Sequence, residues 1–213
     1  MERELSPLDK LIGAFDQALR VVFGGPPVAE RPNPAAALIE APLDERERDH
    51  AGRLMRINHT GEICAQALYQ GQALTARDPA VRERLQQSAR EENDHLAWTA
   101  ERVQELGGRL SYLNPFWYAG ALAIGVAAGL AGDRWSLGFL AETERQVVEH
   151  LNGHLARLPA QDRRSLAIVE QMARDEASHA TVAIESGAAE LPAPIKALMR
   201  LSAKVMTTTT YWI

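Results

Sequence analysis

Apolar residues recur at three- and four-residue intervals along most of the chain, and this pattern predicts helices. After Ser6 and Pro7, which can cap and start a helix, an apolar stripe continues to Val22 and stops at Gly24 and Gly25. Further helices are predicted at roughly 46–76, 80–106, 135–158, 162–186 and 195–206. Alternation of β-branched residues is almost absent, so we expect an all-α protein.

The predicted helices divide the chain into two parts. Residues 1–44 hold the first helix and a linker, "GGPPVAERPNPAAALIEAP", whose prolines prevent regular structure. Residues 45–213 hold four long helices in two pairs, with a long connection in the middle. This order is typical of a four-helix bundle with a crossover, and we expect one domain of that kind.

The connection between the two helix pairs, Leu110–Gly132, carries no charge. It is long enough to span a bilayer, but four glycines and Asn114-Pro115 interrupt it. A full span would also place the two halves of the bundle on opposite sides of the membrane. We therefore predict that 110–132 is an apolar crossover at the membrane interface, as a hairpin or a helix. A buried core helix and a protein–protein contact are the alternatives.

The last predicted helix is amphipathic. It separates basic residues from a largely apolar face, and the chain ends in "YWI". Basic and aromatic residues beside an apolar face favour an anionic membrane surface. The basic residues are Lys196, Arg200 and Lys204, and the apolar ones are Ile195, Leu198, Met199, Val205 and Met206.

Two segments, "REENDHLAW" and "RDEASHATV", share the order Arg-acid-Glu-x-x-His. Residues three apart lie on one helix face, so Glu92 can meet His95 and Glu176 can meet His179. Both pairs occupy positions where the helical pattern calls for apolar residues. Buried charge is costly unless it is paired or binds a metal. Taken alone, either motif fits a buried Glu–His ion pair as well as a metal site.

A third Glu-x-x-His, formed by Glu47 and His50, lies in the fully charged run "LDERERDH". Its surroundings indicate a solvated helix start rather than a site.

The two remaining long helices each place one glutamate inside an apolar stripe, Glu62 in the first and Glu144 in the third. The lone glutamate precedes the paired one by 30 residues in one half and 32 in the other. Four carboxylates balance the charge of two divalent cations, and this ligand set is typical of ferritin-like di-iron or di-manganese proteins. Oxygen and imidazole ligands suit iron or manganese. The predicted metal ligands are Glu62, Glu92, His95, Glu144, Glu176 and His179.

Within this set the two paired glutamates, Glu92 and Glu176, are placed to bridge both ions. Glu62 and His95 would complete the shell of one ion, and Glu144 and His179 would complete the shell of the other. The neighbouring acids Glu91 and Asp175 are candidates to hydrogen-bond the ligand histidines, with a solvated or arginine-paired acid as the alternative.

Composition narrows the class of function. The 213 residues carry a net charge of −5, which argues against broad nucleic-acid binding. Cys64 is the only cysteine, which excludes an internal disulfide and a four-cysteine zinc site and fits a reducing compartment. The start of the chain lacks the pattern of a signal peptide. Without a Gly-x-Gly-x-x-Gly motif or a cysteine cluster, NADH, a reductase and the substrate itself stay open as electron donors.

The segment "RINHTGEICAQALYQGQ" resembles the first-helix motif of the demethoxyubiquinone hydroxylases, the di-iron monooxygenases of ubiquinone biosynthesis. The segments "EENDHL", "AETERQVVEHLNGHL" and "RDEASHA" match later helices of that family in order. The resemblance extends from roughly Glu45 to the C-terminus and leaves the first forty or so residues unmatched.

This resemblance implies two Fe ions per chain, bound by the six residues given above. It also implies that O2 is used to hydroxylate a 2-methyl-6-methoxy-polyprenyl benzoquinol at its unsubstituted ring carbon, which yields demethylubiquinol. The enzyme would be peripheral on the cytoplasmic face of the cell membrane, with a lipid-binding partner protein. His150 matches a family histidine and is a candidate for substrate contact or proton relay. A surface role is the alternative for His150 and more so for His154, and His59 belongs to the first-helix motif.

Three other functions would fit a di-metal bundle. A hydroxylase of tRNA bases would need a basic surface, and a ferritin-like iron-storage protein would need polar cage-forming surfaces. A scaffold would use the metal only to hold its helices together. Manganese could replace iron in any of them.

Overall fold

The computed structural model describes residues 7–25 and 27–213, and every regular element in those ranges is an α-helix. The all-α prediction is confirmed; Ser6, the expected cap of the first helix, lies outside the described residues. The helices are α1 (Pro7–Phe23), α2 (Glu45–Thr75), α3 (Pro79–Glu105), α4 (Asn114–Leu130), α5 (Asp133–Leu155), α6 (Arg163–Glu185) and α7 (Ala193–Trp212).

Local side-chain caps explain where α2, α3 and α6 begin. The Asp44 carboxylate accepts a hydrogen bond from the backbone of Glu47, and the Glu47 side chain accepts one from the backbone of Asp44. This reciprocal pair is a capping box, which starts α2. Asp78 and Asp162 cap α3 and α6 in a similar way. Glu47 therefore has a structural role at a helix start, as the charged run predicts.

Helices α2, α3, α5 and α6 form the bundle. Short connections make α2 and α3 one antiparallel pair and α5 and α6 the other, and contacts of α2 with α5 and of α3 with α6 join the pairs. Helix α4 crosses between the pairs, lies along α2 and also contacts α5. The predicted four-helix bundle with a crossover is confirmed.

Two apolar layers fill the bundle above and below its middle. One layer includes Met55, Trp98, Leu151, Ile168 and Met172. The other includes Tyr69, Leu85, Leu137, Leu140 and Ala183. Each bundle helix contributes to both layers, and its predicted metal ligands lie between the two contributions. The fold thus places the charged side chains in a level that apolar packing closes on two sides.

Helix α4 is one continuous helix rather than a hairpin, and glycines allow it to lie close against α2. A Cβ added to Gly71 would lie 2.5 Å from the carbonyl oxygen of Leu122. A Cβ on Gly125 would overlap the carbonyl of Leu68 in the same way. Of the glycines that interrupt the apolar run, Gly125 is therefore a contact point between the backbones of α4 and α2, whereas a Cβ on Gly120 would meet nothing within 4 Å. None of the described helices has the length and apolar character needed to cross a membrane.

Apolar side chains remain exposed on the three helices outside the bundle. Helix α1 exposes Phe15 and Phe23, α4 exposes Phe116 and Leu130, and α7 exposes Leu198, Leu201 and Val205. The predicted amphipathic character of α7 is present, but part of its basic face is used within the protein. Lys196 and Arg200 both lie 3.6 Å from carboxylate oxygens of Glu142 on α5.

Helix α7 continues to Trp212, past the predicted end near Met206. The predicted end is wrong: the helix passes through four threonines, although β-branched residues are weak helix formers. Contacts with α2 hold the last turns: the Tyr211 hydroxyl lies 2.8 Å from Nδ1 of His50, and the Arg53 guanidinium lies over the Trp212 ring.

Candidate metal centre

The structure brings all six predicted metal ligands together at mid-height of the bundle. They form two overlapping groups, and within each group one ligand atom per residue lies within 4.8 Å of the others. One group is Glu62, Glu92, His95 and Glu176, and the other is Glu92, Glu144, Glu176 and His179. All are buried except His179, which is partly exposed.

Glu92 and Glu176 belong to both groups, so they occupy the positions that bridging ligands require. Each group adds one carboxylate and one histidine of its own. The two halves of the bundle therefore contribute equivalent ligand sets, and this arrangement agrees with the bridging roles predicted from the sequence.

Both histidines direct the same ring nitrogen toward the carboxylates. Nδ1 of His95 lies 2.8 Å from Glu92, 3.1 Å from Glu176 and 3.6 Å from Glu62. Nδ1 of His179 lies 3.1 Å from Glu176 and 3.4 Å from Glu92. Nδ1 is therefore the nitrogen that can bind a metal in each ring.

The other nitrogen of each ring contacts an acid from the opposite half of the bundle. Nε2 of His95 lies 3.0 Å from Asp175, and Nε2 of His179 lies 2.7 Å from Glu91. The predicted hydrogen bonds of Glu91 and Asp175 to the histidines are confirmed. Such acids orient a ligand imidazole and make it more basic. Each histidine is therefore oriented by the acid that precedes the glutamate of the other Glu-x-x-His motif.

Burial makes the carboxylates difficult to ionise. It raises the pKa of Glu62 well above its ordinary value, and the charge of Glu92 adds to this effect. It also raises the pKa of Glu144, with Glu176 and Glu92 adding to the effect. Both shifts favour the protonated form of these two carboxylates in the metal-free protein.

Positive charge from the imidazoles balances the other carboxylates. Burial alone would lower the pKa of His95 and His179, but the nearby carboxylates outweigh it, and the pKa of His179 is raised to about 12. Burial alone would raise the pKa of Glu92, but the two histidines hold it below its ordinary value. Metal ions displace such protons on binding, so this donor set fits two divalent cations. Oε1 of Glu92, buried without a hydrogen-bond partner, is free to ligate.

Tyr69 was not predicted as a functional residue. Its hydroxyl donates a hydrogen bond to Oε1 of Glu144, and the side chain is buried. Burial, together with the charge of Glu144, raises the pKa of Tyr69 well above its ordinary value, so the phenol stays protonated. One signal was available in the sequence, since Tyr69 lies on the same inward line as Glu62, seven residues later.

The other histidines lie outside the ligand groups. His150 and His154 have ring centroids 4.0 Å apart, and Nε2 of His150 and both nitrogens of His154 are buried without a hydrogen-bond partner among the described residues. His154 is therefore a core residue rather than the surface residue considered above. A role of His150 in substrate contact or proton relay stays a prediction. His50 hydrogen-bonds Tyr211, away from both groups.

A cavity of about 950 Å³ lies between α1, α2 and α3, next to the ligand groups. Tyr69 lines it and also contacts Glu144, so a single side chain separates the cavity from a metal ligand. His59 lines it as well, and its Nδ1 is buried without a partner. Burial lowers the pKa of His59 to about 4, so the ring is neutral near pH 7. Gly13 and Gln17 of α1 lie on the opposite side.

Comparison with known proteins places these observations in a family. The family model described as ubiquinone biosynthesis protein COQ7 matches residues 49–210. A protein of Nitrosococcus oceani named 3-demethoxyubiquinol 3-hydroxylase is 60% identical over 99% of both chains. Proteins with the same name from Nitrosospira multiformis and Chromobacterium violaceum are 59% and 60% identical, over 97% and 96% of this chain and 99% and 98% of theirs.

The match confirms the family resemblance seen in the four sequence motifs. It also confirms the ferritin-like bundle predicted from the order of the helices. By its fold, its buried carboxylate and histidine groups and its sequence identity to these relatives, the chain belongs to the family of ubiquinone biosynthesis protein COQ7.

Proposed function

We propose that this protein is a di-iron monooxygenase that hydroxylates 3-demethoxyubiquinol in ubiquinone biosynthesis. The observation that carries the proposal is the pair of overlapping buried ligand groups, in a chain about 60% identical to hydroxylases of that name. The substrate is a polyprenyl benzoquinol. The reaction inserts one oxygen atom from O2 at its unsubstituted ring carbon, and two electrons and two protons from an electron donor reduce the other oxygen atom to water.

Two iron ions would be held by the six residues of the two groups, with Glu92 and Glu176 shared. When bound, such a pair supplies reductive activation of O2. The chain's own contribution is to hold both ions in a level closed by apolar layers, because the packing of Met55, Met172 and Leu140 limits access of water. Asp175 and Glu91 keep Nδ1 of each histidine directed at the centre.

The cavity between α1, α2 and α3 is the proposed position of the quinol ring. Its volume suits a substituted aromatic ring and the first part of a prenyl chain. Neutral His59 also lines the cavity, so its ring can contact the quinol without placing a charge beside it. Tyr69, between the cavity and Glu144, is placed to contact the ring on the side of the metal centre.

A lipid substrate also accounts for the outer surface. Helix α1 turns one side toward the cavity and exposes Ile12, Phe15 and Phe23 on the other. Helix α4 exposes Phe116 and Leu130. We infer that these side chains rest in the interfacial layer of a membrane, with the enzyme peripheral on its cytoplasmic face. The exposed apolar surface and the net charge of −5 favour this substrate over a tRNA base.

Metal analysis combined with quinone mass spectrometry tests the reaction. Cells lacking the chain should accumulate demethoxyubiquinol, and complementation should consume it and place one atom of ¹⁸O2 in the product. The purified protein should hold two irons. Complementation by Glu176→Ala provides the control and should fail. Two irons with unchanged quinones would contradict the proposed substrate, and a metal-free protein that restores the quinone would contradict the proposed centre.

Vesicle flotation tests the membrane surface. The protein should float with vesicles that contain anionic lipid, and Phe15→Ser with Phe116→Ser should reduce the bound fraction. Val28→Ser is the matched control, because Val28 is highly exposed but lies outside the helices. Equal flotation of the double variant and the control would contradict the assigned faces.

A further inference from the structure

The segment between α1 and α2 is attached to the bundle beside the metal centre. The backbone N–H groups of Glu30 and Arg31 donate to Oδ1 of Asp94, at 2.7 and 3.3 Å. Further along the segment, Glu40 binds the buried Arg102 at 2.6 Å. The prolines of this segment exclude helix, but they do not leave it free of the bundle.

Arg31 is the residue of this segment that reaches the metal centre. Its guanidinium binds Oδ2 of Asp94 at 2.5 Å and Oδ2 of Asp175 at 2.9 Å. The same oxygen of Asp175 lies 3.0 Å from Nε2 of His95. Asp175 therefore stands between Arg31 and a histidine whose other nitrogen faces the carboxylates.

Packing fixes the guanidinium from a further direction. The Arg31 Cζ lies 5.0 Å from the centroid of the Trp98 ring, and that ring lies 5.5 Å from the ring of His95. Arginine can contact two carboxylates and an aromatic face at the same time, because its donors form a rigid planar fork. Arg31 thus contacts both neighbours that set the orientation of His95.

The other half of the centre has no such arrangement in the described residues. Glu91, which binds Nε2 of His179, has a side chain 40% exposed, whereas that of Asp175 is 17% exposed. The other oxygen of each acid accepts from a glutamine amide, Gln87 for Glu91 and Gln171 for Asp175, so the guanidinium of Arg31 is what distinguishes the two halves. The two ligand sets are equivalent, but the groups that orient their histidines are not.

We propose that Arg31 is a positioning residue for His95, acting through Asp175, and that it makes the two metal sites unequal. The site that contains His95 is the more rigid one, and the site that contains His179 is the more adaptable one. This inference rests on the proposed di-iron centre and assigns a role to a segment outside residues 49–210, the range that the family model matches.

Metal binding and Mössbauer spectra of the full-length protein test this inference. After anaerobic loading with ⁵⁷Fe(II), the wild type should show two distinct ferrous signals. Arg31→Gln should change one signal and leave the other in place. It should also weaken the binding of one of the two ions by about tenfold, the lower end of the range for groups that support a ligand. Arg31→Lys, which keeps the charge but loses the fork, should recover the affinity only in part.

Arg164→Gln is the matched control. Arg164 holds the same segment through Glu40 and the carbonyl of Leu38, but its contacts do not include Asp175. It should lower thermal stability without changing either signal. The inference fails if Arg31→Gln leaves both signals unchanged, or if both arginine variants alter the spectrum equally.

These outcomes are separate from the test of the reaction. Two unequal irons that depend on Arg31, in a protein that does not hydroxylate the quinol, would leave the inference standing and overturn the proposed substrate. If the quinol is hydroxylated but the spectrum does not change in Arg31→Gln, the proposed function stands and the inference about Arg31 is overturned.

Discussion

The hydroxyl of Tyr69 on α2 donates a hydrogen bond to the carboxylate of Glu144 on α5. It thereby joins the two helix pairs at the level of the metal ligands. Neither residue forms a sequence motif with the other, since 75 positions separate them. Glu144 is a buried carboxylate with a raised pKa, and this bond provides it with a neutral donor. The pKa of Tyr69 is raised as well, so the phenol stays protonated at physiological pH.

Tyr69→Phe should weaken metal binding and leave the fold intact. Loss of the hydroxyl removes a bond that favours ionised Glu144, so binding in the group that contains Glu144 should fall by up to about tenfold. Unfolding free energy should change by only about 1 kcal/mol, because the ring still fills its site. Iron titration and urea unfolding measure the two effects, and unchanged iron affinity would show that the hydroxyl does not support Glu144.

Glu92→Ala and Glu176→Ala should each reduce bound iron from two ions to less than one, because each residue belongs to both ligand groups. Oxygen consumption with the quinol should be abolished, and circular dichroism should show the same helix content. Iron content by emission spectroscopy is the measurement. Glu47→Gln is the control: it keeps the capping box and should keep both irons. Retained turnover in both alanine variants would contradict the ligand assignment.

His154 should make the protein less stable in mild acid. Burial lowers its pKa to about 2, with His150 and Arg157 adding to the effect, whereas an unfolded histidine titrates near 6.5. Between these pH values the unfolded state binds a proton that the folded state does not. The free energy of unfolding is therefore unaffected by His154 above pH 6.5 and decreases as the pH is lowered below that value. At pH 5 the loss is about 2 kcal/mol.

His154→Phe should remove this dependence while keeping a planar ring in the site. Urea unfolding at pH 7.5 and pH 5 measures it on metal-free protein. The variant should lose about 2 kcal/mol less than the wild type over that interval. An equal loss in both proteins would mean that folded His154 takes up a proton.

Gly125→Ala should separate α4 from α2. The added methyl group would overlap the carbonyl of Leu68, which is backbone and cannot rotate away, so we expect a loss of about 1–3 kcal/mol. Gly120→Ala is the matched control on the same helix, since a Cβ there meets nothing within 4 Å. It should be neutral or stabilise the protein by about 0.5–1 kcal/mol. Thermal unfolding compares the two, and equal melting temperatures would contradict the close approach.

The convergence of the six candidate metal ligands could be predicted from the sequence because each interrupts a periodic apolar pattern. Glu62 and Glu144 lie at core positions of their helices, and the Glu-x-x-His pairs share one face by helix geometry alone. The crossed pairing of Asp175 with His95 and of Glu91 with His179 could only be suggested, since it depends on how two separate helices align. The bond from Tyr69 to Glu144 was missed for the same reason.

The elements without a repeating pattern were the hardest to predict. The segment that contains Arg31 has no periodicity, so nothing in the sequence indicates that it contacts α3 and α6. The glycines of 110–132 left a hairpin open, whereas α4 is one helix in which Gly125 and Gly129 allow close packing on α2. Helix α7 extends past the predicted end near Met206, because contacts of Tyr211 with His50 and Arg53 hold its last turn on α2.

The sharing of Glu92 and Glu176 between both groups also sets the order of events during synthesis on the ribosome. When α2 and α3 have emerged, the nascent chain holds three candidate ligands but neither complete group, because both groups need Glu176 from α6. Both candidate metal sites are then completed together, once α6 packs against α3 and α5. A chain that still lacks α6 holds neither complete ligand group, so we expect metal to bind only after the bundle has formed.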